Sequence, residues 1–190
     1  MDIFKLLEEI VFLDEHHREE ITNLIEVQNY KKNETFLRKG EPCKNIGFVI
    51  KGSFRYLMDI DDNERIFDFS VENEFVSDYY GILKSKPASF DIIANQISTV
   101  VCLPTENVLK LFDKDMIYQK IGRTIAEAEF CRHHERLTSL MYDSPQKRYE
   151  NLLRTMPEKV LNLPQHFHAN YLGITKETLS RIRSRFLIKD

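Results

Sequence analysis

The hydrophobic period of the chain changes once, near Pro104. From Val27 up to that point, short runs rich in Val, Ile, Phe and Tyr are broken by polar and turn residues, as in "NETFLRKGEPCKNIGFVIKGSFRYLMDIDDNERIFDFS". Beyond it, no Pro interrupts the stretch from Glu106 to Tyr142, Gly122 is its single Gly, and apolar residues recur at helical spacing. A period of two places alternate side chains on opposite faces of a strand, whereas a period of 3.6 gathers them on one side of a helix. The chain therefore joins an all-β unit to a helical one, an α+β organisation.

In "SFRYLM", Phe54, Tyr56 and Met58 alternate with Ser53, Arg55 and Leu57; in "RIFDFS", Phe67 and Phe69 alternate with Asp68 and Ser70. Both read as strands with one face inward and the polar residues outward. "DIDDNE" between them reads as a hairpin loop. Gly40 and Gly52 end their runs where a turn uses a positive φ, so the segment is expected to close into a compact β-sandwich or roll.

The segment from Glu106 to Tyr142 reads as one long helix. Ile117, Ile121, Ile125 and Ala128 form one stripe, and Phe130, Leu137 and Met141 continue an apolar face among Glu127, Glu129, Arg132 and Glu135. A helix of that length often needs a second surface to bury its stripe. A second copy of itself is the favoured candidate over its own β unit.

Charge divides the chain again. Residues 1–143 hold 18 Lys+Arg and 26 Asp+Glu, a net of −8, while residues 144–190 hold 9 and 4, a net of +5. A cationic end beside an acidic body points to an anionic partner, nucleic acid first. In this end "SPQKRYENLLRTM" starts at a capping Ser144 with Pro145 at the first helical position, and "PEKVLNLP" breaks the chain. Pro164 then precedes a short helix, "QHFHANYL", followed by Gly173 and by "TKETLSRIRSRF", with Thr175 as its cap.

That order, helix, turn, helix, meets the demands of a motif that docks in a DNA groove. Ala169 is small where the helices cross, Gly173 sits in the turn, and Leu172, Ile174, Leu179 and Ile182 lock the second helix on the first. His168 stands where an aliphatic residue is usual and is expected to be a packed neutral imidazole, with Phe167 or Tyr171 supplying bulk. With Leu179 and Ile182 inward, Lys176, Glu177, Ser180, Arg181 and Ser184 face out. Arg and Lys donate to guanine O6 and N7, Glu accepts from cytosine N4, and Ser and Thr hold phosphates. Arg183, Arg185 and Lys189 fall to phosphates or solvent.

"GITKETLSRI" resembles the recognition helix of the Crp/Fnr family of bacterial transcription regulators, and the resemblance runs the length of the chain. It implies three parts. Residues 1–104 would form a cyclic-nucleotide-binding-like double-stranded β-helix, or jelly roll, with N-terminal helices. Residues 105–143 would form a long dimerisation helix, and 144–190 a helix-turn-helix DNA-binding domain. It implies base reading by Lys176, Glu177 and Arg181, and phosphate or backbone contacts by Gln165, His166, Thr175, Thr178, Ser180, Ser184 and Arg185. A homodimer would present two recognition helices about 34 Å apart to a near-palindromic operator. RNA polymerase is a further partner that the resemblance implies.

The cyclic-phosphate cassette of that family departs here. Its Gly-Glu pair is replaced by Ser77-Asp78, and its arginine by Ala88, before Ser89. A phosphate would lack its bidentate partner, and Asp78 and Glu74 would repel it. Control by cyclic AMP is therefore not expected. The effector pocket, if it holds another small molecule, is placed at Phe75, Ser77, Asp78, Ala88 and Ser89. Cys43, Cys102 and Cys131 are too few for the family's iron-sulfur cluster and include no C-x-x-C, and His133 and His134 in "CRHHER" read as solvent-facing, so no metal or cofactor is expected.

Neither a Gly-rich phosphate loop, G-x-S-x-G nor H-E-x-x-H occurs, so no enzyme is expected. No apolar run nears the roughly 20 residues of a membrane span, and the start is acidic, which places the protein in the cytoplasm. The competing reading is a ligand-sensing regulator that acts on a protein partner without binding DNA, its C-terminal helices packing instead.

Overall fold

The structure, a computed structural model, describes residues 3–60, 63–156, 161 and 163–187. Asp61 and Asp62 of the expected hairpin loop, residues 157–160 and 162 of the expected break, and Lys189 lie outside the described residues. Two helices open the chain, α1 (Ile3–Ile10) and α2 (Glu15–Thr22). Asp14 caps α2 by accepting the His17 N–H at 2.9 Å.

The β unit follows as β1 (Glu26–Tyr30), β2 (Thr35–Leu37), β3 (Asn45–Lys51), β4 (Ser53–Ile60), β5 (Asn63–Val71), β6 (Phe75–Val76), β7 (Asp91–Ala94) and β8 (Ser98–Pro104), with α3 (Tyr79–Lys84) between β6 and β7. They form two antiparallel four-stranded sheets, β1-β8-β3-β6 and β2-β7-β4-β5. Between the sheets lies a core that includes Val49, Phe54, Tyr56, Val76, Ile92 and Val100. Burying each of these is worth about 1.5–3 kcal/mol. Gly52 turns β3 into β4 at φ +100°, and a Cβ there would stand 2.8 Å from Ser98 Cα.

Both sheets are also apolar on their outer faces. Phe48, Val101 and Leu103 of the first pack with Ile3, Leu7 and Ile21 of the N-terminal helices and with Tyr118 and Ile121. Leu57, Ile66, Phe69 and Val71 of the second pack beneath the C-terminal helices.

Expectations from periodicity are corrected: Ser53, read as outward, is 1% exposed. Asp68 and Ser70 are 2% and 1% exposed, not outward. Tyr56 pairs with Asp68 and Leu57 with Ile66, so β5 carries Phe67 as an extra, bulged residue. The bulge resets the alternation, bringing Phe67 and Asp68 both to the inner side, where Phe67 meets the Tyr56 and Phe90 rings at 5.8 and 5.0 Å.

The long helix is two helices, α4 (Thr105–Lys114) and α5 (Met116–Tyr142). Asp115 separates them with extended backbone, φ −146° and ψ 142°, and caps α5 by accepting the Ile117 N–H at 2.8 Å. Within α5, Ile121 is buried and Ile117 and Ile125 are half-buried, but Ala128 is exposed and leaves the stripe. Phe130, Leu137 and Met141 are 71%, 58% and 66% exposed. Among the described residues no helix is long and apolar enough to cross a membrane.

Candidate functional site

Among its described residues the basic end holds α6 (Pro145–Thr155), α7 (Gln165–Tyr171) and α8 (Lys176–Leu187). Ser144 Oγ accepts the Lys147 N–H at 3.2 Å with Pro145 at the first position, as the local signals require. The α7–α8 turn closes through Gly173 at φ +65°, with Ile174 N–H donating to Ala169 O at 3.0 Å. Tyr149, Leu152, Ala169, Leu172, Leu179 and Ile182 form one buried cluster with Ile174 against it. His168 is 4% exposed.

With that lock in place, Lys176, Glu177, Ser180, Arg181, Ser184 and Arg185 are exposed, as are Gln165 and Thr175; Thr178 and His166 are half-buried. Thr175 Oγ1 accepts the Thr178 N–H at 3.2 Å, and Arg181 Nη2 reaches Thr178 Oγ1 at 3.3 Å. Ser184 Oγ donates to Ser180 O at 3.1 Å. The Glu177 carboxyl is held below its ordinary range by backbone N–H at the helix start and by Thr175. Burial, aided by nearby Lys176, lowers the His166 imidazole, which favours its neutral form.

Helix α7 rests on the outer face of the second sheet, an arrangement that reading the chain for a docking motif missed. Tyr171 meets Phe69 at 5.3 Å, Arg55 lies over the Phe167 ring at 5.0 Å, and Asn170 Nδ2 donates to Glu64 O at 3.1 Å. Of Phe167 and Tyr171, either expected to supply bulk beside His168, Phe167 packs on the sheet, whereas Tyr171 packs against both the helical cluster and the sheet. From α5, Arg136 stacks on Tyr171 at 3.5 Å and donates to Phe67 O at 2.9 Å and to Tyr171 O at 2.7 Å. The available signal was Leu57 and Ile66, apolar residues on the strand face supposed to meet solvent.

The second element is a cavity of about 530 Å³ where α5 crosses the open side of the roll, beside the edge strands β5 and β6 and helix α3. Of the five expected effector residues it brings together Phe75, Ser77 and Asp78. The other two lie elsewhere. Ala88 is buried in the roll core, exchanging backbone hydrogen bonds with Gly40 and Glu41 at 2.8 and 2.9 Å, and Ser89 is exposed. Glu74 is also off the wall; its Oε2 accepts the Val71 N–H at 2.9 Å.

Several of the wall's polar groups are held by protein partners. Asp78 Oδ1 caps α3 through the Gly81 N–H at 2.9 Å, and the Tyr56 hydroxyl meets Ser70 Oγ at 2.8 Å. Arg132 donates to both oxygens of Asp68 at 3.0 and 2.9 Å and to Glu129 at 2.8 Å. Missed by sequence reading, Arg132 and Asp68 join roll to helix across 64 residues. Exposed His133 stands 3.8 Å from each of Asp68 and Glu129. Cys43 and Cys102 are buried, which raises both thiols, Cys102 to about 11, so neither is a ready thiolate; Cys131 is exposed. No cluster of metal-binding side chains occurs among the described residues.

Residues 27–115 match the family model for the cyclic nucleotide-binding domain. This cyclic nucleotide-binding-type roll and the long helix after it recur together in solved structures. The c-di-GMP responsive global regulator CLP of Xanthomonas campestris is similar with a TM-score of 0.69 and 16% identity, over 93% of each chain. FixK2 of Bradyrhizobium japonicum superposes with a TM-score of 0.73 and 18% identity, over 87% of this chain and 85% of its own. A protein of Eubacterium rectale, assigned to the crp/fnr family of transcriptional regulators, gives 0.72 and 16%, over 93% and 85%. At such identities the likeness is one of fold. Among curated proteins none matches the chain.

Proposed function

We propose that the chain is a sequence-specific DNA-binding transcription regulator of the Crp/Fnr type, acting as a homodimer on a near-palindromic operator. The observation that carries this is the exposure of Lys176, Glu177 and Arg181 together at the start of a helix whose opposite side, Leu179 and Ile182, is locked onto α6 and α7. A donor set on a fixed helix start suits base edges in a major groove. The net charge of +5 in residues 144–190 supplies the attraction to phosphates. Fold neighbours that regulate gene expression support the reading.

Pairing of two copies along α5 is supported by the exposed Phe130, Leu137 and Met141. Independence from cyclic AMP is supported by Arg132, the arginine on the cavity wall among the described residues, whose guanidinium is taken up by Asp68 and Glu129.

Gel-shift titration on operators selected from random DNA tests the proposal. Arg181→Ala and Lys176→Ala should each cost about 1–3 kcal/mol of binding and relax preference at one base position. Unchanged affinity and preference in both variants sinks the assignment of the reading face.

One observation favours a second reading, a regulator that acts on a protein partner. The packing of α7 on β5 through Phe167, Tyr171 and Asn170 gives the C-terminal helices a purely structural task. Salt separates the two, because DNA affinity falls steeply with ionic strength through counterion release.

A further inference from the structure

We propose that the cavity beside α5 is a receptor for an uncharged, largely apolar organic molecule, and not for a nucleotide. The inference deepens the regulator reading and rests on it only for what occupancy would control. Its first support is shape. The α5 residues on the wall include Ile121, Gly122, Ile125, Ala126, Glu129 and Arg132, which share one helical face, together with exposed Phe130, and small Gly122 and Ala126 stand beside the space. Opposite stand residues of the roll, α3, α4 and the N-terminal helices, including Phe75, Phe90, Phe112 and Leu83. A volume of 530 Å³ is in the range of small-molecule pockets and equals about one turn of an α-helix with its side chains.

The second support is electrostatic. Three carboxylates, Asp68, Asp78 and Glu129, stand on the wall with Arg132 and His133. Arg132 is held by Asp68 and Glu129 at 2.8–3.0 Å, and His133 faces the same two acids at 3.8 Å. Asp78 serves as the cap of α3, and the Tyr118 hydroxyl donates to Glu20 at 2.6 Å. An anion would meet surplus negative charge with no free guanidinium, whereas an apolar molecule would lose nothing by these commitments. Selection then falls to shape and buried aromatic surface.

The test is a fluorescence titration of the full chain with N-phenyl-1-naphthylamine, a neutral aromatic probe, and with its anionic relative 8-anilinonaphthalene-1-sulfonate. Saturable binding of the neutral probe at one per chain is expected, tighter than the sulfonate and undisturbed by cyclic AMP. Ala126→Phe, which fills the space, and Leu83→Glu, at an exposed rim position, should each weaken it about tenfold or more. Ile97→Ser, at an exposed position between β7 and β8 away from the cavity, should leave it unchanged. Should Ala126→Phe fail to fold, Leu83→Glu decides. Absence of saturable binding, displacement by cyclic AMP at matching concentration, a tighter sulfonate, or loss confined to Ile97→Ser would each overturn the proposal. None of these readouts involves DNA, so failure here is distinct from failure of the DNA-binding reading.

Discussion

Arg132 of α5 spans both carboxylate oxygens of Asp68 in β5, at 3.0 and 2.9 Å, and so fastens the long helix to the open side of the roll. Asp68 is 3% exposed at its side chain and Arg132 33%. Breaking such a pair from one side leaves the other charge poorly solvated. Asp68→Ala should therefore destabilise the fold by about 3 kcal/mol, at the low end for buried pairs because Arg132 keeps some contact with water. Urea unfolding of the variant beside Arg132→Met measures it, and a loss under about 1 kcal/mol would show the pair to be incidental.

One turn along the same helix, Arg136 ties Phe67 O to Tyr171 O and covers the Tyr171 ring. Arg136→Met should release α7 from the sheet at a local cost of about 3 kcal/mol, from two charged hydrogen bonds and one cation–π contact. Hydrogen exchange should then quicken roughly a hundredfold in α7 while β3 and β8 keep their protection.

Glu74 gives the pH dependence. Burial raises its carboxyl above the ordinary value of 4.5, against the opposing Val71 N–H. The folded state thus holds a proton that the unfolded state has released, and stability falls as pH rises from 4.5 through the raised folded value. Glu74→Gln keeps an acceptor for Val71 N–H. It should flatten this part of the profile and leave the variant more stable than the parent at pH 7, read from unfolding midpoints between pH 4 and 8.

At Gly52, alanine would be held at a positive φ and press on Ser98 Cα at 2.8 Å. The backbone costs about 1–2 kcal/mol and the overlap about 1–3. Gly52→Ala should lower the thermal midpoint by roughly 6–12 °C for a total near 3 kcal/mol.

If the C-terminal helices bind DNA, the logarithm of affinity should fall linearly with that of salt, with a slope of about −0.9 per phosphate neutralised. Arg185→Ala should reduce the slope by about 1 and leave sequence preference intact, whereas Arg181→Ala changes preference. A flat salt dependence in the parent chain favours the protein-partner reading.

The parts that could be read in the sequence are those set by neighbours in the chain. Ser144 and Pro145 start a helix, Gly173 turns at φ +65°, and the apolar lock of Leu172, Leu179 and Ile182 packs as their spacing demands. Asp115 is a local signal that was passed over, because the apolar pattern continued through it while the backbone opened for a new cap. Asp68 was not legible at all. Its direction depends on the bulge at Phe67, which comes from pairing with β4 and not from the alternation within β5. Ala88 and Ser89 were placed beside Ser77 by resemblance, yet the loop after α3 carries them away from the cavity.

By itself, then, the sequence determined that a β roll precedes a long helical stretch and a basic helix-turn-helix pattern, because period, caps and charge are properties of adjacent residues. Tertiary structure alone decided which side chains share a wall. Phe67, Asp68 and Arg132 meet at the cavity, and Tyr171 meets Arg136 on the sheet, because strand register and helix crossing bring together residues that no local preference relates.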